Sequence, residues 1–281
     1  MRIVSYQGSG AESYGFVVGD QVVDRSALRL EAATVRELIA SGTLPTEEQL
    51  SAVTPSAALA DLDLLRPLVP GKILCAGVNF PTHREETGQA PEKPAYPVIF
   101  SRFADSLVAH GEDLRRPVET DKFDYEGELA VVIGTRAFRV SEDEALDHVF
   151  GWSVSNEGSV RDWQRHSPQW IPGKNFWRSG ALGPHLVTVD EVHDIGASRL
   201  QTRVNGEVRQ EALIKDMVFS IAELIAYCSI FTPLEPGDVI LAGTPGGVGL
   251  FFDPPKLLSD GDVVEVEIDG VGLLRNAVRQ A

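Results

Sequence analysis

Two glutamates separated by one residue offer the clearest chemistry in this chain of 281 residues. Glu126 and Glu128 come just before the apolar run 129–133, which is typical of a β-strand. Side chains alternate between the two faces of a strand, so both carboxylates project from the same face. Such charges on a partly buried strand repel each other unless a cation, a proton or basic side chains lie between them. The spacing predicts a cation site, with a solvated edge strand as the simpler alternative.

A third carboxylate supports the cation site. Glu157 ends a second predicted strand that begins at Gly151. Between the two strands, Ser141 and Glu144 predict a capping box that starts a helix running to residue 150. This connection can bring all three glutamates together. Oxygen ligands without His or Cys favour Mg²⁺ or Mn²⁺ over Zn²⁺, and Ca²⁺ is also compatible.

A basic segment follows the third glutamate. The chain has 41 acidic against 25 basic residues and a net charge of −16, yet no acidic residue lies between Trp163 and Val189. A basic segment beside a cation site predicts a cradle for an anionic substrate. All four tryptophans lie in or near it, and we interpret them as a loop packed on the core rather than an aromatic cage around a substrate. The basic residues are Arg161, Arg165, His166, Lys174, Arg178 and His185.

Composition excludes several classes of protein. The chain has no signal-like start and no apolar run long enough to span a membrane, so we expect a cytoplasmic protein with no membrane partner. Its strong negative charge argues against nucleic acid. The glycine-rich run 243–249 is a poor phosphate loop, because Pro245 removes an amide donor, and no nucleotide is implied. Cys75 and Cys228 are expected to be buried free thiols.

The chain reads as two parts. Residues 1–66 carry a hairpin pattern and two short helices and form a small α+β domain. Prolines at 67 and 70 precede the main domain, residues 67–281, where strands outnumber helices. We therefore predict an α+β fold that is mainly β. Further predicted elements of the main domain are strands at 73–78, 239–241 and 263–268, a hairpin turn at Asn205-Gly206 and a helix capped by Ser220 and Glu223.

Segments 125–134, 161–164, 173–174 and 243–249 occur in order from about Lys72 onward. In these segments the main domain resembles the fumarylacetoacetate hydrolase family, in particular its acylpyruvate and fumarylpyruvate hydrolases. The resemblance implies a mixed β-roll core, usually dimeric, and a divalent metal bound by Glu126, Glu128 and residue 157. The family typically has Asp at that third position, whereas Glu157 adds a methylene. We expect Glu126→Ala to abolish metal binding with little loss of stability, since it removes one of several like charges.

A further family element is a histidine with a glutamate three residues later. His83 and Glu86 follow the pair Asn79-Phe80 and would be neighbours on one helical turn. Glu86 can then orient the imidazole, whose other nitrogen accepts a proton from water. In the family this segment is a mobile lid. The resemblance further implies catalytic roles for Lys174 and Gln164 and substrate binding by Arg161, Arg102, Thr244 and Phe80.

These residues predict metal-dependent hydrolysis of a C–C bond in a 2,4-diketo acid, in the breakdown of aromatic or sugar acids. His83 and Glu86 would activate water, and the metal would stabilise the enolate that leaves. The alternative within enzymes is a decarboxylase, isomerase or hydratase acting on a related 2-oxo acid. A noncatalytic family member, with its metal site damaged by Glu157, is the alternative of another class. The expected partners are a small anionic oxo acid and a second copy in a homodimer.

Overall fold

The computed structural model describes residues 1–8 and 10–281, in which strands predominate over helices. The helices are α1 (Val35–Ser41), α2 (Glu47–Ser51), α3 (Pro81–Glu86), α4 (Glu142–Ala145), α5 (Arg161–Gln164), α6 (Ile171–Lys174) and α7 (Ile221–Phe231). The strands are β1 (Arg2–Gln7), β2 (Glu12–Val18), β3 (Gln21–Asp24), β4 (Ala57–Ala58), β5 (Leu64–Leu65), β6 (Ile73–Gly77), β7 (Val98–Ser101), β8 (Leu107–Val108), β9 (Leu114–Arg116), β10 (Phe123–Asp124), β11 (Gly127–Ile133), β12 (Val149–Asn156), β13 (Ser159–Val160), β14 (Gly180–Thr188), β15 (Arg199–Val204), β16 (Glu207–Leu213), β17 (Val239–Leu241), β18 (Val263–Ile268) and β19 (Gly272–Gln280). The predicted α+β, mainly β fold is confirmed.

One large mixed sheet carries the candidate site. Its strand order is β4-β3-β2-β1-β14-β12-β11-β17-β6-β7, with β5 beside β1 and β8 beside β14. The central strand β11 pairs with β12 on one side and β17 on the other. Every residue of β11 is buried, so the solvated edge-strand alternative is wrong.

A second sheet, in the order β16-β15-β18-β19-β9, packs on one face of the first. Leu129 and Val131 of β11 join Val266 and Leu274 of the second sheet in one hydrophobic core. Residues of the opposite parity, such as Ala130, join another core beneath the N-terminal strands. The alternation predicted for this strand is therefore confirmed.

The N-terminal segment contains the expected hairpin and helices. Thr34 caps α1 by accepting a hydrogen bond from the backbone N–H of Glu37, and Thr46 opens α2 with a capping box. Strand β1 pairs with β14, Arg2 lying opposite Val187, so this segment extends the large sheet. The division into domains at residue 66 stays a prediction.

The connection between β11 and β12 differs from the prediction in part. Ser141 starts α4 with the predicted capping box. The helix ends at Ala145, however, and Val149 already pairs with Ile133 in the sheet. The predicted extension of the helix to residue 150 is therefore wrong, because pairing with β11 outweighs a local helical spacing of apolar residues.

Three other local predictions are confirmed. Asn205 and Gly206 both have positive φ, 53° and 80°, in the tight turn between β15 and β16. Ser220 and Glu223 form the capping box of α7. Within the described residues, no helix combines the length and apolarity that crossing a membrane requires.

Candidate active site

Three buried carboxylates meet where β11 begins and β12 ends. Antiparallel pairing places Gly127 opposite Asn156, which sets Glu126 beside Glu157. The backbone N–H of Glu157 donates to the carbonyl of Glu126 at 2.7 Å, and Asn156 Oδ1 accepts from the backbone N–H of Glu126 at 3.0 Å. One carboxylate oxygen from each of Glu126, Glu128 and Glu157 lies within 4.8 Å of the others. The sheet therefore brings together the three predicted metal ligands.

Basic side chains lie against this cluster. Lys174, at the end of α6, donates from Nζ to Glu126 Oε2 at 2.6 Å and to Glu157 Oε2 at 2.8 Å. Arg161, at the start of α5, donates from Nη1 to Glu126 Oε1 at 2.5 Å and from Nε to Asp124 Oδ2 at 2.8 Å. The basic segment thus supplies two cations to the carboxylates.

The positive charge is shared unevenly among the three glutamates. Burial raises the pKa of Glu126, but the charges of Lys174 and Arg161 outweigh it and hold that pKa well below its usual range. Burial raises the pKa of Glu128 well above its usual range, and the charges of Glu157 and Glu126 add to the effect. Burial also raises the pKa of Glu157, against the opposing charge of Lys174. The cluster is short of positive charge near Glu128.

The free oxygens of the cluster fit a hard divalent cation. Among the described residues, Glu157 Oε1 is buried without a hydrogen-bond donor, and Arg102 Nη1 lies 3.8 Å from it. Glu128 Oε2 accepts a hydrogen bond from the backbone N–H of Gly243 at 2.9 Å. Three carboxylates with an unsatisfied oxygen are a suitable ligand set for Mg²⁺ or Mn²⁺. The extra methylene of Glu157 leaves its carboxylate within the group.

The predicted histidine–glutamate pair is formed on α3. His83 Nδ1 lies 2.5 Å from Glu86 Oε1, and the histidine side chain is 7% exposed. Glu86 Oε2 accepts from the backbone N–H of Gly247 at 2.9 Å, and Thr82 Oγ1 accepts from that of Gly246 at 3.0 Å. With Nδ1 held by the carboxylate, His83 Nε2 is free for proton transfer.

One cavity of about 160 Å³ joins the histidine to the carboxylates. Leu250 and Phe251 belong to its apolar wall. The predicted site residues that line it are His83, Glu126, Glu128, Glu157, Arg161, Gln164, Lys174 and Thr244. Glu86 does not line the cavity but contacts His83.

Phe80 and Arg102 do not line this cavity. Phe80 is 1% exposed at the start of α3. Arg102 is buried behind Glu157, where it donates to the carbonyl of Gly158 at 3.0 Å and to Ser179 Oγ at 2.7 Å. Their substrate-binding roles stay predictions, and the contacts of Arg102 instead support the position of Glu157.

Sequence reasoning missed two organising residues. Asp124 accepts hydrogen bonds from the backbone N–H groups of Gly249 and Leu250 as well as from Arg161. Gln210, on β16, donates to Thr244 Oγ1 at 2.8 Å. Asp124 lies in the same short run as Glu126 and could have been found there, whereas no local pattern marks Gln210.

The tryptophans confirm the packed-loop interpretation only in part. Trp152 and Trp163 pack on the core, whereas Trp177 is 65% exposed. Trp170 instead lines the cavity, with its ring edge-on to Phe100 at 5.3 Å between centroids. The neighbouring Gly77 leaves room for this indole, because a Cβ there would lie 2.3 Å from a ring carbon. Trp170 therefore forms part of the cavity wall.

Sequence comparison finds one family over most of the chain. The family described as "Fumarylacetoacetate (FAA) hydrolase C-terminal" matches residues 72–279. The mitochondrial oxaloacetate tautomerase fahd2 of Xenopus laevis is 38% identical over 289 residues, which cover 99% of this chain and 90% of the relative. The oxaloacetate tautomerase YisK of Bacillus subtilis (strain 168) is 40% identical over 224 residues, covering 79% and 74%.

Solved structures share the whole fold. A fumarylacetoacetate hydrolase from Exiguobacterium antarcticum superposes with a TM-score of 0.90 at 31% identity and covers 100% of both chains. The maleylpyruvate hydrolase of Sphingobium sp. SYK-6, in complex with manganese(II) and pyruvate, superposes with a TM-score of 0.82 at 28% identity, again over 100% of both chains.

Proposed function

Because the chain belongs to the fumarylacetoacetate hydrolase family, we propose that it interconverts the keto and enol forms of a small 2-oxo acid, with oxaloacetate as the first candidate. Two relatives, one vertebrate and one bacterial, are oxaloacetate tautomerases. This proposal corresponds to the isomerase alternative of the sequence analysis. It takes precedence over the C–C hydrolase that the motifs alone favour.

The observation that carries the proposal is the arrangement of charge in the cavity. A free imidazole nitrogen lies on one wall, and carboxylates with a lysine form the buried floor. The volume, about 160 Å³, is below the range of about 300–1,000 Å³ usual for drug-sized ligands. A four-carbon acid is better suited to this space than a long acylpyruvate.

Glu126, Glu128 and Glu157 would hold the divalent cation, for which we propose Mg²⁺ or Mn²⁺. When bound, such a cation polarises a carbonyl oxygen as a Lewis acid. The manganese in the Sphingobium structure supports this assignment. The remaining chemistry falls to the protein's own side chains.

His83 is the base that exchanges a proton with a carbon of the substrate. In the keto-to-enol direction, its Nε2 takes a proton from the carbon next to the carbonyl, and the C–H electron pair becomes the new C=C bond. The carbonyl π pair moves to the oxygen, which takes a proton from solvent and becomes the enol hydroxyl, while the imidazolium of His83 returns its proton to solvent. Glu86, 2.5 Å from Nδ1, stabilises the imidazolium that forms. The reverse reaction uses the same groups, and no water is consumed.

Lys174 and Gln164 stabilise the oxygen on which charge develops. Burial lowers the pKa of Lys174, but the charges of Glu126 and Glu157 outweigh it and raise that pKa, so the amine remains a cation rather than a base. Gln164 Oε1 accepts from Arg161 Nη1 at 3.2 Å. Its amide NH₂ is then free to donate to the substrate.

Hydrolysis of an acylpyruvate is the second candidate. The same His83–Glu86 pair can activate water, and a solved relative is a maleylpyruvate hydrolase. This reaction also uses Lys174, but it needs room for a water molecule and for a longer substrate. The noncatalytic alternative is the weakest, since the cavity brings together a base, a carboxylate cluster suited to a cation and an oxyanion donor.

The test follows the ultraviolet absorbance of enol oxaloacetate with Mg²⁺ or Mn²⁺, using wild type and His83→Ala. We expect the wild type alone to accelerate the loss of absorbance, with no pyruvate or CO₂ formed. Acylpyruvates, analysed for products, provide the comparison. Cleavage of acylpyruvates into two acids, without acceleration of tautomerisation, would establish the hydrolase instead.

We also propose that the protein forms a homodimer, as the family resemblance implies, and that it is located in the cytoplasm. Sedimentation equilibrium tests the dimer, and cell fractionation tests the location.

A further inference from the structure

We propose that Arg165 binds the second carboxylate of the substrate and makes the cavity selective for 2-oxo dicarboxylates. The inference rests on the proposed function, since it names the substrate class of that site. It concerns a residue outside the motifs that identify the family, directly after α5.

The guanidinium of Arg165 is available to a ligand. Three basic side chains line the cavity: Arg161, Arg165 and Lys174. Arg161 and Lys174 are already bonded to carboxylates of the floor. Arg165 is exposed at the rim, and across residues 1–8 and 10–281 no Asp or Glu oxygen comes within 4.0 Å of it. In a chain of net charge −16, it is the cavity cation left for an anionic ligand.

The floor carries more carboxylates than cations. Among the described residues, four carboxylates, of Asp124 and the three glutamates, face three cations, Arg102, Arg161 and Lys174. A divalent cation on the glutamates would leave one positive charge, which the first carboxylate of a 2-oxo acid neutralises. A second carboxylate needs another cation, and Arg165 is placed to provide it.

The charged groups of the cavity differ in burial. The glutamates and Lys174 are buried and Arg165 is exposed, and the other lining residues include Val78, Phe100, Trp170 and Phe251, which carry no charge. A short dicarboxylate can therefore place one end at the floor and the other at Arg165. The planar guanidinium suits a carboxylate, because it donates two parallel hydrogen bonds.

The binding test uses a matched pair of ligands. L-Malate and 2-hydroxybutyrate both have four carbons and an oxygen on C2, but only malate has a second carboxylate. Calorimetry on the Mg²⁺-loaded protein should give at least about tenfold tighter binding of malate to the wild type, an advantage of about 1.4 kcal/mol. Arg165→Gln should reduce this preference to about twofold or less. A preference that is absent in the wild type, or unchanged in Arg165→Gln, would overturn the inference.

Two further variants control for charge and geometry. Arg165→Lys keeps the charge without the planar fork and should retain part of the preference for malate. Arg279→Gln removes an exposed arginine on β19, outside the cavity, and should bind both ligands as the wild type does. An equal loss of preference in Arg279→Gln would assign the effect to overall charge and contradict a role for Arg165.

The activity test compares oxaloacetate with its 4-methyl ester. Arg165→Gln should raise KM for oxaloacetate about tenfold with kcat within about twofold, while kcat/KM for the ester stays unchanged. An equal loss on both substrates would overturn the inference. If malate preference depends on Arg165 but oxaloacetate is not tautomerised, the proposed function is wrong and the inference stands. If oxaloacetate is tautomerised while the dicarboxylate preference survives Arg165→Gln, the inference is wrong.

Discussion

The floor of the cavity and the helix that carries His83 are held in place in different ways. Glu126, Glu128 and Glu157 lie on or next to β11 and β12, and the sheet that forms the core also sets their separation. Helix α3 has six residues. The side chains of Thr82 and Glu86 hold it in place by accepting hydrogen bonds from two backbone N–H groups. The position of the proposed ligands is thus set by the fold, whereas the position of the proposed base depends on a few polar contacts. Substitutions in the two regions should therefore affect different properties.

His83→Ala should have the largest effect and act on catalysis alone. Loss of a general base slows reactions by about 10²–10⁴-fold, and we expect about a thousandfold loss of kcat, or about 4 kcal/mol of activation free energy. Metal affinity and the unfolding midpoint should stay as in the wild type, measured by calorimetry and urea denaturation. His193→Ala, at an exposed position, is the control. A large loss of stability in His83→Ala would show that α3 belongs to the rigid core.

The same substitution by glutamine should have unequal effects on stability at Glu126 and Glu128, which both lie in the floor of the cavity. Glu126→Gln takes a charged partner from both Lys174 and Arg161 and should lower the free energy of unfolding by about 3 kcal/mol in the presence of a chelator. Glu128→Gln replaces a carboxyl whose pKa burial already raises, and should be neutral or stabilising. Both variants should lose metal binding in calorimetry.

The same pair of variants revises one expectation from the sequence. Like-charge repulsion predicts that removing Glu126 costs little stability, but its two basic partners reverse that prediction. We expect this small loss of stability for the removal of Glu128 instead. Equal urea midpoints for Glu126→Gln and Glu128→Gln would contradict this distinction.

Acid should weaken the sheet through a residue outside the cavity. Burial lowers the pKa of His185, on β14, to about 4, while its Nε2 hydrogen-bonds the carbonyl of Val271. The unfolded state binds the proton at pH below about 6.5, so the stabilisation present above that pH is lost as pH falls towards 4. Between pH 7 and pH 5 the loss should be about 2 kcal/mol. His185→Gln should show a shallower pH dependence in urea denaturation, and an unchanged slope would contradict the assignment.

Thr82→Val should have the smallest effect. It removes the acceptor for the backbone N–H of Gly246 without a large change in volume. The loss of one such bond is worth about 1 kcal/mol, which predicts about a fivefold lower kcat/KM at unchanged metal affinity. Thr82→Ser keeps the hydroxyl and should restore most of the activity. A serine variant as impaired as the valine variant would show that packing, not this bond, positions α3.

Features that depend on neighbours in the chain could be predicted from the sequence. The capping boxes at Thr46, Ser141 and Ser220 each involve residues three positions apart, and the turn at Asn205-Gly206 needs only two residues with positive φ. The shared face of Glu126 and Glu128 also follows from local alternation. Each of these depends on a few consecutive residues.

Contacts between distant segments could not be predicted in the same way. Lys174 meets Glu126 across 48 positions, and Gln210 reaches Thr244 across 34. Local periodicity contains no information about either contact. The helical spacing near Val149 even indicated the wrong element, because the strand is set by its pairing with Ile133. The family resemblance identified Lys174, Glu126 and Glu157 as site residues, but it did not predict that the lysine bonds to both carboxylates.

The loop after β17 touches both of the regions compared above. Gly243, at its start, donates to Glu128, and Gly246 and Gly247, only three and four residues later, hold Thr82 and Glu86. If the Glu128 carboxylate shifts towards a bound cation, the shift acts through a few bonds on the contacts that hold α3. Any coupling of this kind between cation occupancy and the ordering of α3 must be equal in both directions.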